Sequence, residues 1–291
     1  MEEKTSFELF LYEDQNEIII EDMEFCVDRI VVFPKIRPHK LEKVVNLSMK
    51  YCQIEEFRQK ILEKSIKCPV LIYHLYKRGI LDFGEIEPFI SNEESLLLCY
   101  YFRKEINEFE KFIQDKYAPY DYDDSFLENQ SDIDQLIEYG FSPSSIEYCL
   151  KYDVIDDLIR FNQLNHEVKW SPFEWSSKPE YHDLLSVSGF FGSINCFKYL
   201  LMKGFEINDK VTSMVVCGGS LDLYHLCQGQ KLIKPNLACM ASEFFHLPLL
   251  VFMIENGADM NSNTEDVYFF CFMRLLFIML LNMVILVLLN I

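Results

Sequence analysis

The chain has 291 residues, half of them hydrophobic and 15% aromatic. That composition excludes general disorder and leaves room for one long solenoid or two small domains. The formal charge of −19 argues against nucleic acid, whose phosphates attract Lys and Arg, and against an anionic membrane surface.

Phe7, Phe10 and Leu11, then Ile18, Ile19, Ile20, Met23, Cys26 and Ile30, recur at helical spacings, so the first segment is expected to be helical. Pro34 and Pro38 are expected to break that run, because proline lacks the amide donor and clashes with the preceding turn. Leu41, Val44, Val45, Leu47, Met49 and Cys52 make an amphipathic helix. Ile61 to Cys68 lead to Pro69, which can open a helix at its first turn. Val70 to Tyr76 follow, and Lys77-Arg78-Gly79 give a basic, glycine-terminated end. Shorter helices are expected near 83–91, 93–103 and 105–116, with Ser91-Asn92-Glu93-Glu94 as an N-cap followed by acidic residues. Residues 1–117 thus read as a helical domain.

Residues 118–134 (APYDYDDSFLENQSDID) are acidic and lack a periodic apolar stripe, so they read as a linker. Asp121, Asp123 and Asp124 lack the glycine and the twelfth-position Glu of a calcium loop, which leaves a solvated charge run.

From 135 to 265 one pattern recurs. Residues 185–208 read LSVSGFFGSINCFKYLLMKGFEIN, a helix, a turn at Gly192-Ser193, a second helix turning apolar at Cys196, Phe197, Leu200 and Leu201, and a stop at Gly204 followed by Ile207-Asn208. Val215-Val216-Cys217-Gly218-Gly219-Ser220-Leu221-Asp222-Leu223 repeats the small-residue helix, the turn and the second helix. Its closing glycine is replaced by Lys231, with Gly229 two residues earlier. Ala241 to His246 open a further unit that ends in Glu255-Asn256-Gly257-Ala258-Asp259-Met260-Asn261. Upstream, Ile146 to Phe161 read as a worn first copy turning at Asp153.

These units resemble ankyrin repeats, of the degenerate kind expanded in parasitic protists. An ankyrin unit cannot bury its apolar face alone, so one copy implies neighbours. The turn-to-turn spacings of 27 and 26 residues fall short of the usual repeat of about 33. The shortfall is about the length of the β-turn finger, so bare helix pairs are expected. The resemblance implies an all-α solenoid whose first helices line a protein-binding groove. On it, Val187, Phe190 and Phe191 would face the groove from one repeat, and Met240, Glu243 and Phe244 from another; the other reading of all six is core packing. Trp170 and Trp175, the only tryptophans, lie in an irregular stretch, 162–180, and divide between the same two roles.

From Val267 the chain becomes VYFFCFMRLLFIMLLNMVILVLLNI, with Arg274 as its one charge. Three readings stay open. Seventeen Leu, Ile, Val and Phe residues, at about −0.3 to −0.6 kcal/mol each, outweigh a central Arg at about +2.5 to +3.5, which makes a membrane span. A buried last helix is the second, although no soluble helix needs apolar residues all round. The third is a shifted reading frame. One base out of phase, Cys271–Phe272 permits Leu, Phe272–Met273 permits His, Met279–Leu280 permits Ala and Met283–Val284 forces Gly, which restores a repeat opening where the next one is due.

No catalytic set appears. There is no phosphate loop, HExxH or GxSxG, and Gly218-Gly219 is a turn. The ten cysteines contain no CxxC and fall mostly on apolar stripes, where a thiol acts as a small hydrophobe. The six histidines are scattered, and His246 sits at the turn histidine of the resembled family. The opening MEEKTSFELF lacks the pattern of a secretion signal, and a reducing cytoplasm is expected. The expected function is non-catalytic protein–protein binding, as a scaffold or adaptor with no cofactor, no metal and no nucleic acid. The alternative is a membrane-tethered adaptor held by the apolar tail.

Overall fold

A computed structural model of the chain describes residues 7–10, 17–20, 22–90, 96–117, 133–164, 167–176, 182–228, 237–244 and 246–258. The fold is all-α apart from one short strand pair. The chain divides into two units, Met1–Ser145 with Trp170–Lys178, and Ile146–Lys169 with Pro179–Ile291. Of the expected linker 118–134, residues 118–132 lie outside the described residues, as does the tail from Val267, whereas Ile133 and Asp134 begin a helix. Among the described residues no helix is long and apolar enough to cross a membrane.

The first unit opens with β1 (Phe7–Phe10) and β2 (Glu17–Ile20), paired antiparallel with Phe7 opposite Ile20. The helical expectation for these residues is corrected here. Short apolar runs fit helix and strand equally by spacing, and Ile18-Ile19-Ile20 is β-branched throughout, which favours the strand. Asp22 then caps α1 (Met23–Ile36), its carboxylate accepting from the amides of Glu24 and Phe25 at 2.9 and 3.3 Å. Pro34 does not break this helix but is buried in its last turn. Pro38 instead opens a 3-10 turn, Pro38–Lys40.

The helices α2 (Leu41–Tyr51), α3 (Glu55–Ser65), α4 (Pro69–Lys77), α5 (Phe83–Ile90), α6 (Leu96–Tyr101) and α7 (Phe109–Tyr117) follow. Pro69 stands at the first turn of α4, and Gly79 after its end takes φ +68°. The helix α1 packs on α2 and α3, and α4 packs on α2, α3 and α6. Their shared core is Ile30, Phe57, Ile61, Leu71, Ile72 and Leu75, each fully buried and each worth about 1.5–3 kcal/mol of apolar burial. The N-cap expected at 91–94 lies outside the described residues.

Helix α8 (Ile133–Tyr139) belongs to this unit rather than to the repeats. Its Asp134 carboxylate pairs with Arg103 and Lys104, both at 2.8 Å, and Glu138 pairs with Lys77 at 3.1 Å. Residues 170–176 also join the first unit, as neither helix nor strand.

The second unit is a series of helix pairs. They are α9 (Ile146–Tyr152) with α10 (Ile155–Leu158), α11 (Leu184–Phe191) with α12 (Ile194–Met202), α13 (Asp209–Gly218) with α14 (Leu221–Gln228), and α15 (Leu237–Glu243) with α16 (Leu247–Glu255). The first helix of each pair packs on the first helix of the next: α9 on α11, α11 on α13, α13 on α15. Between α12 and α13 run only residues 203–208, with no strand. Asn208 ends that connection as an N-cap, accepting from the amides of Lys210 and Val211 at 2.9 and 3.1 Å.

Small residues set the spacing of the first helices. A Cβ at Gly189 would lie 2.7 Å from Val215 Cγ2, and one at Gly218 would lie 2.6 Å from the Phe190 carbonyl oxygen. Both positions need glycine for backbone approach rather than for torsion. The α15–α16 end closes on Val216, Leu237, Ala238, Ala241, Leu249, Leu250 and Met253.

Candidate functional site

The turns of the second unit follow one rule. Gly192 and Gly219 end α11 and α13 in the left-handed region, with φ +69° and +72°. Asp153 takes the same region at the α9–α10 turn, with φ +56°. An Asp tolerates that torsion better than most residues, and its side chain adds a bond that glycine cannot. Its carboxylate accepts from the amides of Asn195 and Cys196 at 3.2 and 2.8 Å and from Asn195 Nδ2 at 2.8 Å. It therefore caps α12, the second helix of the next pair. At two of the turns the next residue also reaches backward. Ser193 Oγ donates to the Leu150 carbonyl. His246 Nε2–H donates to the Cys217 carbonyl at 2.6 Å, with the ring buried against Gly219. The Ser193 and His246 bonds are buried, and an unsatisfied partner in either would cost about 1–3 kcal/mol.

The eight residues singled out as a binding face are placed as follows. Val187, Phe190 and Phe191 are buried, as is the whole of α11. They do not present a free surface, and of the two readings left open by the sequence their burial fits core packing. Phe190 meets Phe191 at 5.3 Å and Phe244 at 6.3 Å between ring centroids. Phe244 and Met240 are half-buried, Met240 against the α15–α16 core; the Glu243 side chain lies outside what is described. Trp170 and Trp175 are half-buried in the first unit. The Trp170 ring lies 5.6 Å from that of Phe141, and Trp175 Nε1–H donates to the Pro38 carbonyl at 3.4 Å.

Exposed apolar residues occur on the second helices instead. Met202 is 76% exposed at the end of α12, Leu226 is 40% exposed on α14, and Ile254 is 41% exposed on α16. Val251 stands one turn before Ile254 and is 36% exposed. The sequence carried a signal for this face. Helix α16 reads LPLLVFMIE, which is apolar on more sides than one packed face requires.

The titratable groups do not favour covalent chemistry. None of the nine described cysteines is in a disulfide, and all but Cys239 are buried. Burial pushes the thiols of Cys26 and Cys52 up to about 12, and those of Cys68, Cys149 and Cys227 up to about 11. The Cys196 thiol is raised by burial and by the neighbouring Asp153 carboxylate. A thiol held protonated is a poor nucleophile and a poor metal ligand. Among the described residues no three or more His, Cys, Asp or Glu side chains are grouped to hold a metal ion. No protein family, curated protein or solved structure matches this chain.

Proposed function

We propose that this chain is a non-catalytic protein-binding adaptor whose second unit is a short solenoid of ankyrin-like helix pairs. The observation that carries the reading is the repeated turn. Asp153, Gly192 and Gly219 share one backbone torsion region, and Ser193 and His246 each bond back to the preceding pair. Nearest-neighbour stacking of first helices is the packing expected of such an array. The first helix α11 is buried over its whole length, which leaves the exposed apolar residues of the second helices as the partner face. Met202, Leu226, Val251 and Ile254 are apolar anchors there, of the kind that centre a binding patch. The partner is another protein with a complementary apolar patch. The chain works without cofactor or metal, in a reducing compartment that keeps its buried thiols unpaired by disulfides.

The test is co-purification from extracts of the native source. The intact chain is compared with a Leu226→Glu, Val251→Glu, Ile254→Glu variant, both shown folded by circular dichroism. A stoichiometric protein held by the intact chain and lost from the variant is expected. Equal recovery by both chains would remove the second-helix face from the reading, and substrate turnover by the purified chain would remove the adaptor itself.

A further inference from the structure

We propose that the first unit is a receptor for a short turn-forming peptide of the pattern Trp-x-x-Phe-x-Trp, and that residues 170–176 are its built-in ligand. The inference does not depend on how the second unit is read. The chain leaves the second unit after Lys169 and re-enters it at Pro179. The residues between, WSPFEWS from 170 to 176, form no helix or strand. A connection between α10 and α11 has no topological need to be seated in another unit's core.

The segment is held as peptide ligands are held, by separate side-chain anchors and one backbone contact. Phe173 is fully buried, its ring 6.3 Å from Tyr100 and 5.7 Å from Tyr101, edge-on to both. Such edge-to-face contacts add a directional preference to plain burial. Tyr101 Oη–H donates to the Phe173 carbonyl at 3.4 Å. Trp170 rests against Phe141 on one side, and the Trp175 indole donates to Pro38 on the other. The seat is therefore built from Pro38, Tyr100, Tyr101 and Phe141, all earlier in the chain than its occupant.

The segment also shapes itself. The Phe173 amide donates to Ser171 Oγ at 3.1 Å, the Glu174 amide to the Ser171 carbonyl at 3.1 Å, and the Ser176 amide to Glu174 Oε1 at 2.9 Å. Pro172 fixes one further torsion. These local bonds present Phe173 without help from the receptor, and such preorganisation lowers the entropy cost of binding. The fitting partner is a turn-shaped segment of another protein with the same aromatic spacing and a turn-forming Ser-Pro between its first two aromatics. While the built-in copy is seated, tethering gives it an effective concentration of order millimolar and shuts the site to weak competitors.

The test uses the full chain and a fluorescein-labelled peptide of residues 168–178, VKWSPFEWSSK. Two variants empty the seat: Phe173→Ala with Trp175→Ala, and replacement of 170–176 by Gly and Ser at equal length. The expected result is that both melt cooperatively by circular dichroism and bind the peptide by fluorescence anisotropy. A peptide whose Phe is replaced by Ala should bind about thirtyfold more weakly or worse, the loss of a buried aromatic anchor. The unaltered chain should bind the labelled peptide at least about tenfold more weakly than the emptied variants. If both variants lose the helicity of the first unit, the segment is part of its core and the proposal is overturned. Folded variants that ignore the peptide, or that bind the Ala peptide equally well, overturn it too.

Discussion

Gly219→Ala should be among the most damaging single-methyl additions in this chain. Gly219 has φ +72°, and a Cβ there would fall on the ring atoms of His246. The torsion alone costs an L-residue about 1–2 kcal/mol. The ring cannot yield cheaply, because His246 is buried and its Nε2–H bonds the Cys217 carbonyl at 2.6 Å. Moving it leaves that carbonyl unsatisfied, at about 1–3 kcal/mol, and overpacks the turn by a further 1–3 or so. The expected loss is about 4 kcal/mol or more. Gly204 is an internal control, with φ +94° and nothing within 4 Å of a Cβ, so Gly204→Ala should cost only about 1–2 kcal/mol. The assay is urea denaturation followed by far-UV circular dichroism, with hydrogen exchange over 209–255 to localise the loss. Tryptophan fluorescence serves as the reporter of the other unit, since both tryptophans lie there. In a His246→Ala background the added cost of Gly219→Ala should fall to the Gly204 value. If the two glycine variants are equally stable, or the His246 background changes nothing, the turn-to-turn contact is not what this reasoning takes it to be.

Leu200→Asp and Leu250→Asp should each unfold the second unit, because both side chains are buried on second helices and an unpaired buried charge costs several kcal/mol; unchanged helicity and melting would refute the register. Thiol titration of the native protein at neutral pH should find Cys239 the fastest of the described cysteines, with the eight buried thiols reacting only on denaturation; rapid labelling of Cys149 or Cys196 would contradict the packing. Burial holds the His74 imidazole below its ordinary range, and its Nε2 is buried without a hydrogen bond. The neutral form is therefore favoured in the folded state, so stability is full above the unfolded value of 6.5 and declines as pH falls below it toward the depressed folded value. The urea midpoint of the tryptophan transition should fall between pH 7.5 and 5.5, and His74→Leu should flatten that slope; a slope unchanged in the variant would assign the effect to another group.

The helix pairs were legible because their punctuation is chemical. Gly192, Gly219 and Asp153 mark left-handed turns that few residues accept, and Pro69 marks a first turn. Strands β1 and β2 were not legible, since FELF and EIII are too short for spacing to separate a strand from a helix. Whether Phe190 and Phe191 face a groove or a core stayed open in the sequence for a different reason. Phe190 and Phe191 have the same identity whether solvent or a neighbouring ring such as Phe244 covers them, and what decides is packing from a distant part of the chain. The seating of Phe173 was equally hidden, because a segment's sequence does not record which unit it packs in.

The crossing of the chain between units also has a timetable. The last residue of the seat is Phe141, and Trp170, which rests on it, follows by 29 positions. At about 5–20 residues per second of synthesis, the receptor side is made about 1.5–6 s before its occupant. Throughout that interval Tyr100, Tyr101 and Phe141 are available to any nascent or waiting chain with a suitable aromatic segment. The order of manufacture therefore opens a window of recognition on the ribosome that closes when the protein supplies residues 170–176.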